Sequence, residues 1–97
     1  MHVISRKKLR EFWALCPDSE VALQAWFHEA VAASWSNSAE LKTKYGNASI
    51  INSERVVFNI CGNRYRLIAR INYISGAVFI RFVGTHKKYD QIDVETV

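Results

Sequence analysis

The chain has 97 residues, 49% hydrophobic and 23% charged, with a net charge of +4. That length holds one domain, residues 1–97, with enough apolar content for a core and no room for a second. No apolar run is long enough to span a bilayer and the start, MHVISRKK, lacks a signal core, so we expect a cytoplasmic protein without a membrane partner. Cys16 and Cys61 stand far apart in apolar surroundings without a CxxC or Cys/His cluster. They read as reduced, buried thiols, with a structural disulfide as the alternative and no metal site.

His2–Ile4 is a short apolar start, suited to an edge strand. Ser5 can cap a helix in which Leu9, Phe12, Trp13 and Cys16 recur at helical spacing. Pro17 breaks it, Asp18 can cap the next, and Leu23, Trp26, Phe27, Ala30, Val31 and Ser34 fit one face of a second helix. Two amphipathic helices joined this closely predict an antiparallel hairpin. Trp35–Ser53 has a weak pattern and reads as a loop, with a short strand at Ser49–Ile51. Three strands follow: Arg55–Cys61, a turn at Gly62–Asn63, Arg64–Ile74, a turn at Ser75–Gly76, and Ala77–Val83. His86–Ile92 is either one helical turn or a loop. The order is β-α-α-β-β-β, an α+β domain with two N-terminal helices on one face of a small antiparallel sheet.

The charges are unevenly placed. Residues 1–54 carry six bases and six acids, whereas Arg55–Tyr89 carries seven Lys/Arg and no Asp or Glu. In the long strand Arg64, Arg66, Ile68, Arg70 and Asn72 share one side, and Tyr65, Leu67, Ala69, Ile71 and Tyr73 the other. Arginines at two-residue steps stand roughly 6–7 Å apart, close to the phosphate spacing of a nucleic-acid backbone. Arginine grips phosphate bidentately and stays charged. A solvated sheet face is the alternative; the missing acids favour an RNA-binding face, with Arg70 the member best placed to find an acid elsewhere. Asn59 can hydrogen-bond a phosphate or base if its side is the basic one. Arg81 adds to the face, and Lys87 and Lys88 steer RNA.

His86 is the only histidine near this face. Metal-free RNA cleavage needs a base for the 2′-hydroxyl proton, an acid for the leaving 5′-oxygen and cations for the charge gained at phosphate. Imidazole suits either proton role; the alternative is a loop residue capping the next turn. Tyr89 is a second proton donor or a platform for a base. Asp90 orients His86 or caps a turn, and we favour the cap. The helices carry no catalytic signal: Trp13, Trp26 and Phe27 read as core, and Arg6, Lys7, Lys8 and Arg10 as a solvated face. The leading expectation is therefore an endoribonuclease. A non-catalytic RNA- or ribosome-binding module that blocks translation by occupancy is the second, and a structural subunit meeting an acidic protein the third.

FNICGNRYRLIARINY and FIRFVGTHKKYD carry a resemblance to the HigB toxins, a branch of the RelE-like mRNA interferases, over nearly the whole chain. It is most specific in GNRYRLIARI and GTHKKYD. The resemblance implies a RelE-like fold and the toxin half of a type II toxin–antitoxin pair. It implies cleavage of mRNA without metal or other cofactor, in many members only on the ribosome. It also implies a HigA-like antitoxin with a helix-turn-helix domain, operator DNA being met only through the complex. Arg66 matches the strand arginine set against the scissile phosphate, His86 the catalytic basic position after the last strand, and Tyr89 the C-terminal aromatic. Asn59 falls where some relatives place a catalytic lysine. None of the three C-terminal strands has a lysine, which shifts the proton-transfer role to His86 and implies low or strictly ribosome-dependent activity.

Overall fold

A computed structural model describes residues 1–97. In chain order the elements are β1 (His2–Ile4), α1 (Arg6–Leu15), a 3-10 turn (Pro17–Ser19), α2 (Glu20–Ala32), α3 (Ser38–Lys44), β2 (Ser49–Ile50), β3 (Arg55–Ile60), β4 (Tyr65–Asn72), β5 (Ala77–Thr85) and α4 (His86–Tyr89). The α+β class and N-terminal helices agree with the sequence. The sheet is larger than expected and mixed: five strands in the order β1-β5-β4-β3-β2, with β1 parallel to β5 and the other pairs antiparallel.

Pro17 ends α1, as its missing N–H and ring require. The helices form the expected hairpin. The Met1 nitrogen donates to the carbonyls of Ala30, Val31 and Ala33, so α2 ends beside the strand from which α1 departs. A cation there complements the negative end of the helix dipole. The two expected caps do not form. Ser5 adopts a left-handed conformation (φ 75°) without a side-chain cap, and Asp18 turns to the sheet. Ser19, fully buried, donates its hydroxyl to the Cys16 carbonyl at 2.7 Å.

α3 occupies part of the expected loop, and it has a capping signal. The Asn37 side chain accepts from the Glu40 N–H at 2.9 Å, and the Glu40 carboxylate accepts from the Ser36 N–H at 2.7 Å. Leu41 of α3 is fully buried. Alternation along β3 and β4 puts Val56, Phe58, Ile60, Tyr65, Leu67, Ala69 and Ile71 against the helices, in a 16-residue core cluster with Leu9, Leu23, Trp26 and Trp35. Phe58 is its aromatic centre: ring centroids of Tyr45, Trp26 and Trp35 lie 5.0, 5.3 and 6.5 Å away.

The β3–β4 loop runs from Cys61 to Arg64, with positive φ at Cys61 (54°) and Gly62 (66°), rather than turning at Gly62–Asn63 alone. Both thiols are free and half-buried. No helix is long and apolar enough to cross a membrane.

Candidate functional site

The register of the three long strands builds the site. Asn59 lies opposite Arg66, and Arg66 opposite Gly84, so these three form one row on the face away from the helices. Val57, Ile68 and Phe82 form the next row, and Arg55, Arg70 and Phe79 a third. Gly84 has a packing reason: a Cβ there would collide with the ring of Phe82, which lies across it. Arg81 is the extra residue of a bulge between the pairs Ile68–Phe82 and Ala69–Ile80.

β5 runs directly into α4, whose first turn is capped by Thr85, its hydroxyl accepting from the Lys88 N–H at 3.1 Å. His86 and Tyr89 are three residues apart and share a side of that turn, with ring centroids 6.4 Å apart. The Arg66 guanidinium carbon lies 5.8 Å from the centre of the Tyr89 ring. The His86 main chain is tied to the residue that precedes β4 by its N–H, which donates to the Arg64 carbonyl at 3.3 Å. On the ring side, Nδ1 lies 3.1 Å from an Asp90 carboxylate oxygen. The Asp90 side chain is thus the partner of His86, while its main-chain N–H closes the end of the turn on the His86 carbonyl and Thr85 caps the start.

The remaining arginines do not join Arg66 on an acid-free face. Arg64 sits in the loop before β4 and pairs with Asp18, whose other carboxylate oxygen accepts from the Tyr65 hydroxyl at 2.6 Å. The Tyr65 hydroxyl, and then Arg64, hold the Asp18 carboxyl below its usual range. That same bond, with burial second, pushes the Tyr65 phenol up to about 12. Arg70 pairs with Glu54 at 3.0 Å and lies over the Phe79 ring. Arg55 donates to the carbonyls of Val94 and Val97, at 3.3 and 2.6 Å, and Arg81 to Val97 at 3.2 Å. The Asn59 amide donates to the Asn47 carbonyl at 3.3 Å. Acids and carbonyls from outside the basic stretch therefore close on four of its five arginines. Arg66 bonds only the carbonyls of its own hairpin, Asn63 at 3.0 Å and Tyr65 at 3.4 Å. Lys87 and Lys88 are exposed on α4 beside it.

The tail explains a second departure from the expected surface. Val57 and Ile68 are 2% and 0% exposed although they face away from the helices. Arg55 and Arg81 anchor the last residues over that face, so it is a covered layer rather than an open platform. What stays accessible is the end of the sheet at Arg66, His86, Tyr89 and Asp90. No three His, Cys, Asp or Glu side chains converge as metal ligands would.

An α+β fold of this order, with N-terminal helices packed on a five-stranded mixed sheet, is that of a RelE-like toxin. Residues 19–92 match the family described as HigB toxin, RelE-like toxic component of a toxin–antitoxin system. The chain belongs to this family. It is 26% identical over 94 residues to the mRNA interferase HigB of Escherichia coli O6:H1, covering 95% of this chain and 91% of that protein. It is 28% identical over 92 residues to the mRNA interferase toxin HigB of Escherichia coli K12, covering 93% and 88%. A Shigella flexneri mRNA interferase HigB matches at the same level.

Proposed function

We propose that the chain is a metal-independent endoribonuclease that cuts mRNA on the ribosome and so halts translation. The observation that carries this reading is the cluster of Arg66, His86, Tyr89 and Asp90 at the open end of the sheet. The names of the relatives, mRNA interferases, supply the substrate class.

In this mechanism the ribose 2′-hydroxyl attacks the adjacent phosphorus and the bond to the 5′-oxygen breaks, leaving a 2′,3′-cyclic phosphate and a 5′-hydroxyl end. Arg66 stabilises the charge that grows on the phosphoryl oxygens, helped by a position with no carboxylate to neutralise it. Asp90 accepts from His86 Nδ1–H, which leaves Nε2 as the proton-transfer atom. Tyr89 stacks a base or donates the second proton. Asn59, in the Arg66 row, and Lys87 and Lys88 hold the flanking backbone. Arg64, Arg70 and Arg81 contribute to the potential around the RNA while bonded to Asp18, Glu54 and the tail. The protein acts in the cytoplasm. Its antitoxin is of HigA type with a helix-turn-helix domain, and operator DNA is met only through the pair.

Mapping mRNA 5′ ends in a reconstituted translation reaction tests this, with and without ribosomes, using wild type and His86→Ala. New ends that require ribosomes and disappear in the variant support the assignment. Arrested translation with intact message would replace it with blockade by occupancy.

A further inference from the structure

β2 covers the outer edge of β3 only at Val56 and Val57, so the edge is open from Phe58 onward. Residues 46–48 cross the gap, held where the Asn59 amide donates to the Asn47 carbonyl at 3.3 Å. On the helix side α2 presents Ala22 and Ala25, whose small side chains leave space. The result is a pocket of about 430 Å³ between α2, the end of α3 and the β3–β4 loop. That volume suits a small ligand. The pocket lies apart from His86, Tyr89 and Asp90, none of which lines it.

Its inner wall is aromatic. Phe58 and Trp26, 1% and 3% exposed, form that wall, and Tyr45 stands beside them. The Trp26 indole N–H is buried without a hydrogen-bond partner. An unpaired buried donor is unfavourable, and an acceptor bound in the pocket relieves it. The rim is polar. There the Tyr45 hydroxyl donates to one oxygen of the Glu29 carboxylate at 2.7 Å, and the other oxygen has no partner within the chain. Lys44 lines the same rim and forms no ion pair with Glu29.

We infer that this pocket is a binding site for a guanine base. An ionised carboxylate only accepts hydrogen bonds, so the edge that meets Glu29 must donate. Guanine carries N1–H and its 2-amino group side by side and presents both to one carboxylate. Adenine and cytosine place a ring acceptor next to their amino group, and uracil flanks its one N–H with two carbonyls. Each of these sets lone pairs against Glu29. The remaining edge of guanine carries the acceptors O6 and N7, which suit the donors of Trp26 and Lys44. The aromatic wall receives the ring itself. Asn59 borders the pocket and lies opposite Arg66 in the sheet, so the base can belong to a strand that also reaches Arg66, or to a free nucleotide. The inference goes beyond the nuclease reading and does not rest on it.

The test titrates the isotope-labelled full chain with guanosine monophosphate, adenosine monophosphate and two uncleavable 2′-O-methyl oligonucleotides, one all uridine and one with a single guanine. Amide and indole N–H resonances are followed. Guanosine monophosphate is expected to shift the Trp26 indole and the Gly46 and Gly62 amides, with the adenosine nucleotide weaker by on the order of tenfold or more. Glu29→Gln keeps an acceptor for Tyr45 but turns a donor toward the guanine edge, and should abolish the preference. Ala25→Leu, at an exposed helix position, should fill the space and weaken every ligand with an unchanged urea midpoint. Tighter binding of the guanine oligonucleotide than of the mononucleotide assigns the base to single-stranded RNA, and the reverse order assigns it to a free nucleotide; either result upholds the site. A silent Trp26 indole, equal affinity for the two mononucleotides, a guanine preference that survives Glu29→Gln, or full binding by Ala25→Leu would each overturn it. All of this is read without cleavage, so loss of the nuclease reading would appear separately, as wild-type chain that cuts no message.

Discussion

At the residue scale, the tasks proposed for His86 and Arg66 differ, and their losses should look different. In the proposed mechanism His86→Ala removes the proton-transfer group, and cleavage should fall about 10²–10⁴-fold with RNA affinity nearly unchanged. Arg66→Ala removes the cation proposed to meet the phosphate, and about 10²–10³-fold should be lost, part of it in affinity. Asp90→Asn keeps the contact to Nδ1 but not its charge, so its defect should be smaller than that of His86→Ala and should change with pH. Single-turnover cleavage at saturating and subsaturating RNA separates these cases; an Asp90→Asn profile superimposable on wild type would leave Asp90 no role in holding the imidazole. The RLIARIN alternation placed Arg66 and Arg70 on the correct side. It could not show that Glu54 would take Arg70 or that Asp18, 46 positions away in sequence, would take Arg64. Pairing over such separations is decided by the packed fold, and local periodicity carries no trace of it.

At the scale of elements, the most informative is α3. Seven residues make too few turns to display apolar periodicity, and this segment reads as loop by that measure. Its Asn37–Glu40 box was nevertheless legible in SNSAE, as a side-chain acceptor followed three residues later by glutamate. Asn37→Ala should cost about 1 kcal/mol, seen as a lower urea midpoint with an unchanged slope. Phe58→Ala should cost about 3–5 kcal/mol, because one ring meets α2, the α2–α3 connection and the residue that ends α3. That is a large share of the stability of a domain this size. A midpoint for Phe58→Ala within that of Asn37→Ala would show that α3 and its flanks contribute little to the core. The parallel pairing of β1 with β5 was not legible. Three residues give no direction, and their partner lies at the other end of the chain.

At the scale of the whole molecule, Asp18 and Tyr65 join the turn between α1 and α2 to the end of the sheet that carries His86, and this joint should contribute at both limits of pH stability. A tyrosine is charged only when deprotonated. With the Tyr65 phenol at about 12 against an ordinary 10.0, the folded chain keeps a proton that the unfolded chain has released in that interval. Its contribution is complete below about pH 10 and is lost as pH rises toward 12. Tyr45, raised by burial and by its bond to Glu29, and Tyr73, raised by burial, steepen the same decline. Asp18 acts at the other limit. Its carboxyl is held below the ordinary 3.8, so its contribution is present above that value and is lost as pH falls through the depressed one. Tyr65→Phe removes the titrating phenol and the main hydrogen bond to Asp18 at once. The alkaline decline should become shallower, with Tyr45 and Tyr73 leaving a residual slope. Asp18, retaining Arg64 alone, should titrate nearer its ordinary value, so the acid decline should also become shallower, starting from a lower plateau. Urea midpoints measured across the acid and alkaline limits for wild type and Tyr65→Phe test both arms. An alkaline decline identical in the two proteins would place the joint elsewhere than at the Tyr65–Asp18 bond.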